Sequence, residues 1–177
     1  MVFALAGRRI DAVAAVEMRF PLEQVPRVSR EIASLFKEHS AKALVSSAAC
    51  GADLIALSGA GLLGLRRRVI LPFDREKFRK DSVVDRPGDW GPIFDRVLDD
   101  VCSKGDLIIL ASPPGDEEAY KTASHVILDE AQSLSGKQAP IAITVWEGQS
   151  RGKDDLTKEF YDAAILRSFQ VFEVKTI

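Results

Sequence analysis

The chain has 177 residues, 46% of them hydrophobic and 28% charged, with a formal net charge of −2. That length suits one domain with a full sheet and helices on both faces, and the composition argues against disorder. The balanced charge carries no global signal for nucleic acid or an anionic membrane, and two cysteines with two histidines offer neither a disulfide scaffold nor a Cys/His metal cluster.

The predicted elements alternate in type along the chain. A strand at 2–6 runs into Gly7-Arg8-Arg9-Ile10-Asp11. This order of an apolar run before the charges is the reverse of a signal peptide, and no apolar run approaches membrane-spanning length. Pro26 at a first-turn position then precedes the stripe Val28, Ile32, Leu35 and Phe36, a helix with one buried face. A second strand at 43–47 leads through small residues into a helix opened by Asp53, with Leu54, Leu57, Gly61 and Leu65 along one side. A third strand, 69–73, is followed by the segment 74–91, too charged and too long for a minimal connection. It reads either as a lid in which Trp90 and Arg86 close over a base or, favoured for Trp90, as a packed excursion in which Trp90 anchors the next helix. Ile93, Val97 and Val101 mark that helix. A strand at 107–111 precedes the loop from Ser112 to Asp116 and a helix begun by Asp116, Glu117 and Glu118 and stopped by Gly136. A strand at 141–146, a helix capped by Asp154 or Asp155, and a last strand at 171–174 complete the chain. The strands lack polar alternation, as expected for burial on both faces. The predicted fold is therefore α/β, a three-layer α/β/α Rossmann-like domain with a mostly parallel central sheet over residues 1–177.

Ligands of an open parallel sheet bind beyond the carboxyl ends of its strands, near the point where strand order reverses. The stretch Ser46-Ser47-Ala48-Ala49-Cys50-Gly51 is the strongest candidate, since small residues before a helix N-terminus let a phosphate approach unpaired N–H groups. Gly7 with Arg8 and Arg9 comes second, because a guanidinium offers fixed donors to an anion. Ser112 and Gly148 belong to the loops after the fourth and fifth strands. His125 reads as structural. Cys50 has the setting of an activated thiol but no histidine near it in sequence.

These loops resemble the SLOG superfamily, the Rossmann-like domains shared by the DNA-uptake protein DprA (Smf) and the LOG phosphoribohydrolases. Residues 43–57 followed by Arg68-Val-Ile-Leu-Pro72 are similar to the DprA pattern of strand, Ser-Gly-x-Ala-x-Gly-Ile-Asp, helix and Val-Leu-Pro strand, matched at Ser46, Gly51 and Asp53. Ser47 stands where that pattern has glycine and Cys50 where it has arginine. Gly7-Arg-Arg-Ile-Asp11, Arg19-Phe-Pro21, Leu71-Pro-Phe-Asp74, Asp85-Arg-Pro-Gly-Asp-Trp-Gly91 and Val145-Trp-Glu-Gly148 look like uncharacterised bacterial SLOG-like domains, some of them attached to signalling modules.

The resemblance implies a nucleotide or nucleotide-derived ligand, with Asp53 and Thr157 joining the candidate contacts. It also exposes a departure. LOG enzymes carry Pro-Gly-Gly-x-Gly-Thr-x-x-Glu after the late strand. Here Thr157 matches the threonine, Asp154, Asp155 and Leu156 replace the glycines, and Phe160 stands where the catalytic glutamate belongs. The expectation is a cytoplasmic binding or sensing domain without catalytic residues, cofactor or metal. Nucleic acid and membrane are not expected as partners, and self-association is left open. The alternatives are an N-glycosidase using Glu117 or Glu147, and DprA-like binding of single-stranded DNA, against which the charge balance counts.

Overall fold

The computed structural model describes residues 1–112 and 117–177. Its elements in chain order are β1 (Val2–Gly7), a 3-10 turn (Leu22–Gln24), α1 (Val25–Glu38), β2 (Ala43–Ser46), α2 (Ala52–Leu62), β3 (Arg66–Leu71), α3 (Arg75–Ser82), α4 (Trp90–Ser103), β4 (Leu107–Ile109), α5 (Glu117–Ser135), β5 (Ile141–Trp146), α6 (Leu156–Leu166) and β6 (Gln170–Lys175). The six strands form one sheet in the order β4-β3-β2-β1-β5-β6. Every strand pair is parallel. The three-layer α/β/α reading holds.

Successive side chains on a strand point to opposite faces, and both faces are apolar. Phe3, Leu5, Leu44, Val69, Leu71, Ile143 and Val145 face α1, α2 and α4, joining Ile32, Phe36, Leu54, Leu57 and Phe94 in one core. Ala4, Val45, Ile70 and Ala142 face α5 and α6, joining Ile127, Leu128, Phe160 and Ala164 in the other. The smaller residues on the second face let α5 lie close across the sheet, as its packing on β1, β2 and β3 shows.

The segment 74–91, read from sequence as a loop, contains a helix. Asp74 caps α3 by accepting the Lys77 N–H at 2.9 Å, and Phe78 is buried. The charges that suggested a loop are paired with α4, Arg75 with Asp99 at 2.6 Å and Arg79 with Asp95 at 2.9 Å. Trp90 is buried at the start of α4 and donates to the Pro87 carbonyl, an anchor as expected. The strand β3 begins earlier than its apolar run because Arg66, Arg67 and Arg68 pair with Asp106, Asp100 and Asp106 respectively. Asp116 and the rest of the expected loop at 113–116 lie outside the described residues. Among the described residues no helix is long and apolar enough to cross a membrane.

Candidate functional site

Chain order runs outward from β1 through β2, β3 and β4, then returns to β5 on the other side of β1. The reversal therefore lies between β1 and β5, and a cavity of about 520 Å³ opens at the carboxyl ends there. That volume is within the usual range for small-molecule sites. Its floor is Ala6, Gly7 and Ser47. One wall comes from α2 and α3 (Asp53, Phe78, Ser82) and the other from α5 and the start of α6 (Tyr120, Ile127, Thr157). The turn from Arg8 to Arg19, with Arg86 and Arg151, forms the rim.

Two glycines make this geometry. A Cβ on Gly7 would lie 2.5 Å from the Val145 carbonyl oxygen and 2.6 Å from the Ala52 Cβ, so only glycine lets α2 start against the strand ends. Gly51 has φ +92°, and a Cβ there would lie 2.8 Å from the Arg8 carbonyl oxygen and 2.9 Å from the Ile10 nitrogen. The close approach lets the Ala52 N–H donate to the Arg8 carbonyl at 3.2 Å. Gly51 thus faces the neighbouring backbone rather than the cavity.

Arg8 is the hub of a buried ion network. Its guanidinium donates to both Glu147 oxygens (2.7 and 3.0 Å), to both Asp155 oxygens (2.5 and 2.8 Å) and to the Gln149 carbonyl (3.0 Å). Burial opposes its charge, but the hydrogen bonds to Asp155 and Glu147 hold its pKa above the ordinary value. Burial likewise opposes the two carboxylates, and Arg8 overcomes it, holding Asp155 well below the usual range and lowering Glu147. Arg19 also donates to Glu147. Arg8 lines the cavity, with its guanidinium engaged by the loops after β5.

The helix ends are correspondingly filled. Asp155 accepts the Thr157 and Lys158 N–H groups at the start of α6 and the Arg151 N–H in the preceding loop. A carboxylate thus occupies the seat that glycines leave to a phosphate. At α2, the Asp53 Oδ2 accepts the Ala49 N–H at 3.1 Å. Burial pushes the Asp53 carboxyl up to about 7, against hydrogen bonding from the Ala49 N–H and the Ser46 hydroxyl and the charge of Arg9.

The other predicted residues divide between site and scaffold. Ser47, Asp53, Arg9 and Thr157 join Gly7 along the cavity. Arg9 is braced by Asp85 at 2.9 Å and the Asp81 carbonyl at 3.1 Å. Ser46 is fully buried and donates to the Leu5 carbonyl, Ser112 donates its N–H to the Pro72 carbonyl, and Gly148 turns at φ +88° beside Lys175. None of these three lines the cavity. Burial pushes the Cys50 thiol up to about 11, so it is no activated nucleophile. His125 faces Arg167 and Glu159 between α5 and α6. Among the described residues no group of three His, Cys, Asp or Glu side chains is arranged to hold a metal.

Sequence reasoning passed over Arg151 and Tyr120. Arg151 is the one guanidinium on the cavity with no hydrogen bond or ion pair among the described residues. Loss of water at the cavity rim and the neighbouring Arg8 lower its pKa, against the more distant charges of Asp155 and Glu147. Tyr120 stands edge-on to Phe73 at 5.7 Å and shares a 3.1 Å hydrogen bond with Ser82, giving the α5 wall an aromatic face. No signal short of the fold marks either one. No family model matches the chain, and no curated protein is similar to it.

Proposed function

We propose that this cavity binds a nucleotide or nucleotide-derived ligand and that the protein is a binding or sensing domain of the SLOG-like, Rossmann-type class. The observation that carries the reading is Arg151, an uncompensated guanidinium on the rim of a cavity at the strand-order reversal. A guanidinium recognises a phosphate through paired donors. Phe78 on one wall, and Tyr120 and Ile127 on the other, give the cavity apolar surface suited to a base.

Arg151→Ala removes an exposed side chain, so the fold is expected to survive. Titration calorimetry should show nucleoside monophosphate binding weakened by roughly tenfold to a hundredfold, the worth of a charge-assisted hydrogen bond. Binding of the matching nucleosides should barely change. Equal losses for both would remove the anion role of Arg151, and absence of binding by any nucleotide would remove the reading.

Phosphoribohydrolase turnover is not expected. Asp155 fills the start of α6, Phe160 is buried in the core, and Glu147 is held ionised by Arg8 and Arg19. A carboxylate with a lowered pKa is a poor general acid. Chromatographic assay of adenosine monophosphate should therefore show no adenine release. Release abolished by Glu117→Gln would instead establish the N-glycosidase.

A further inference from the structure

The carboxyl group of Asp53 has no part in holding the fold together comparable to that of Asp155. No cation touches it; Oδ2 accepts the Ala49 N–H, and the Ser46 hydroxyl beside it, which donates to the Leu5 carbonyl, is the other polar protein group against the carboxyl. The residue is 7% exposed, and what remains accessible lies in the cavity wall. A buried carboxylate without a charged partner is costly, and the upward displacement of its pKa reports that cost. Such a group at a helix start beside the strand ends is a functional candidate.

An ionised carboxylate only accepts hydrogen bonds, so its complement must donate. It also repels phosphate from the α2 N-terminus, leaving Arg151 as the anion end of the cavity. The two ends are related through Arg8. Its carbonyl accepts the N–H of Ala52, the neighbour of Asp53, while its side chain reaches Asp155, which accepts the N–H of Arg151.

Resting on the nucleotide reading above, we propose that Asp53 is the sugar-recognition residue of this cavity, accepting a ribose hydroxyl and thereby selecting ribonucleotides over their deoxy counterparts. Gly7 and Ser47 leave room on the floor for the pentose, and the apolar wall at Tyr120 and Ile127 is left for the base.

The test is calorimetry on the intact protein at pH 8 with adenosine, guanosine, cytidine and uridine monophosphates and their 2′,3′-dideoxy analogues. The ribonucleotide that binds best should exceed its dideoxy analogue by about tenfold or more, the worth of a hydrogen bond to a charged group. Asp53→Asn keeps the shape and the acceptor for Ala49, and should bring that ratio close to one while preserving the preference for monophosphate over nucleoside. Equal affinities for ribose and dideoxyribose forms in the unmodified protein would overturn the proposal, even if the variant failed to fold. So would an unchanged ratio in the variant, or a variant that instead lost discrimination among bases, which would assign Asp53 to a base amino group. Binding by none of the compounds would remove the nucleotide reading and this inference with it.

Discussion

Replacing Arg8 with alanine should destabilise the protein by about 3 to 5 kcal/mol, because it leaves the buried Asp155 without an ion pair and Glu147 with Arg19 alone. The side chains of Glu147 and Asp155 are 5% and 0% exposed, and Arg8 is the ion-pair partner common to both. For a domain of this size that corresponds to a fall of roughly 10 °C or more in Tm. The pH dependence has a definite sign. Both carboxylates have folded-state pKa values below their ordinary ones, so the network's contribution is complete above those ordinary values and is lost as pH falls through the folded ones. In the variant the buried acids favour their neutral forms, so the gap between the two proteins should narrow on acidification from pH 7 towards pH 4. Arg9→Ala is the matched control. Its pair with Asp85 is about one-third exposed on each side, and exposed pairs contribute at most about 1 kcal/mol. Thermal melts of both variants decide the matter. An Arg8→Ala melt within about 2 °C of the unmodified protein would show that the network contributes nothing.

Asp53→Asn should do the opposite and stabilise the protein at alkaline pH. The folded-state value of about 7 lies above the ordinary value of 3.8. Between these two values the folded protein keeps a proton that the unfolded chain has lost, so stability falls as pH rises from about 4 to about 7. At roughly 1.4 kcal/mol per unit, the full penalty approaches about 4 kcal/mol above pH 7. The groups around Asp53 offset little of it. The Ser46 hydroxyl, which also donates to the Leu5 carbonyl, and Arg9, which is paired with Asp85, lower the value only in part, and the Cys50 thiol stays neutral. The variant should therefore melt several degrees higher at pH 8 and close to the unmodified protein at pH 4. Equal melting temperatures at pH 8 would mean that Asp53 is not held against its charge. A gain in stability joined to a loss of ribonucleotide selectivity would mark the exchange of stability for function common at binding sites.

The sequence by itself determined the layers. The run at 141–146 is a strand over those same residues, and Val28, Ile32 and Phe36 are buried on α1 as their spacing requires. Both follow from local periodicity, which needs no knowledge of distant neighbours. The small residues of the β2–α2 turn lie at the carboxyl edge of the sheet, where Ser47 and Asp53 line the cavity. The helix α3 was missed because its charges are matched by partners on α4, some twenty residues ahead.

Which side chains face the cavity was settled only by tertiary structure. Arg8 and Arg151 are the same residue type at neighbouring sheet-edge loops, yet one is consumed by Glu147 and Asp155 and the other has no partner among the described residues. Asp53 and Asp155 both begin helices, but a guanidinium 2.5 Å away lowers one while burial raises the other. Charge states and free donors depend on contacts across 139 and 147 residues of chain, and no local pattern encodes them. Local physics decided where strands and helices lie. The meeting of their ends decided which charges remain for a ligand.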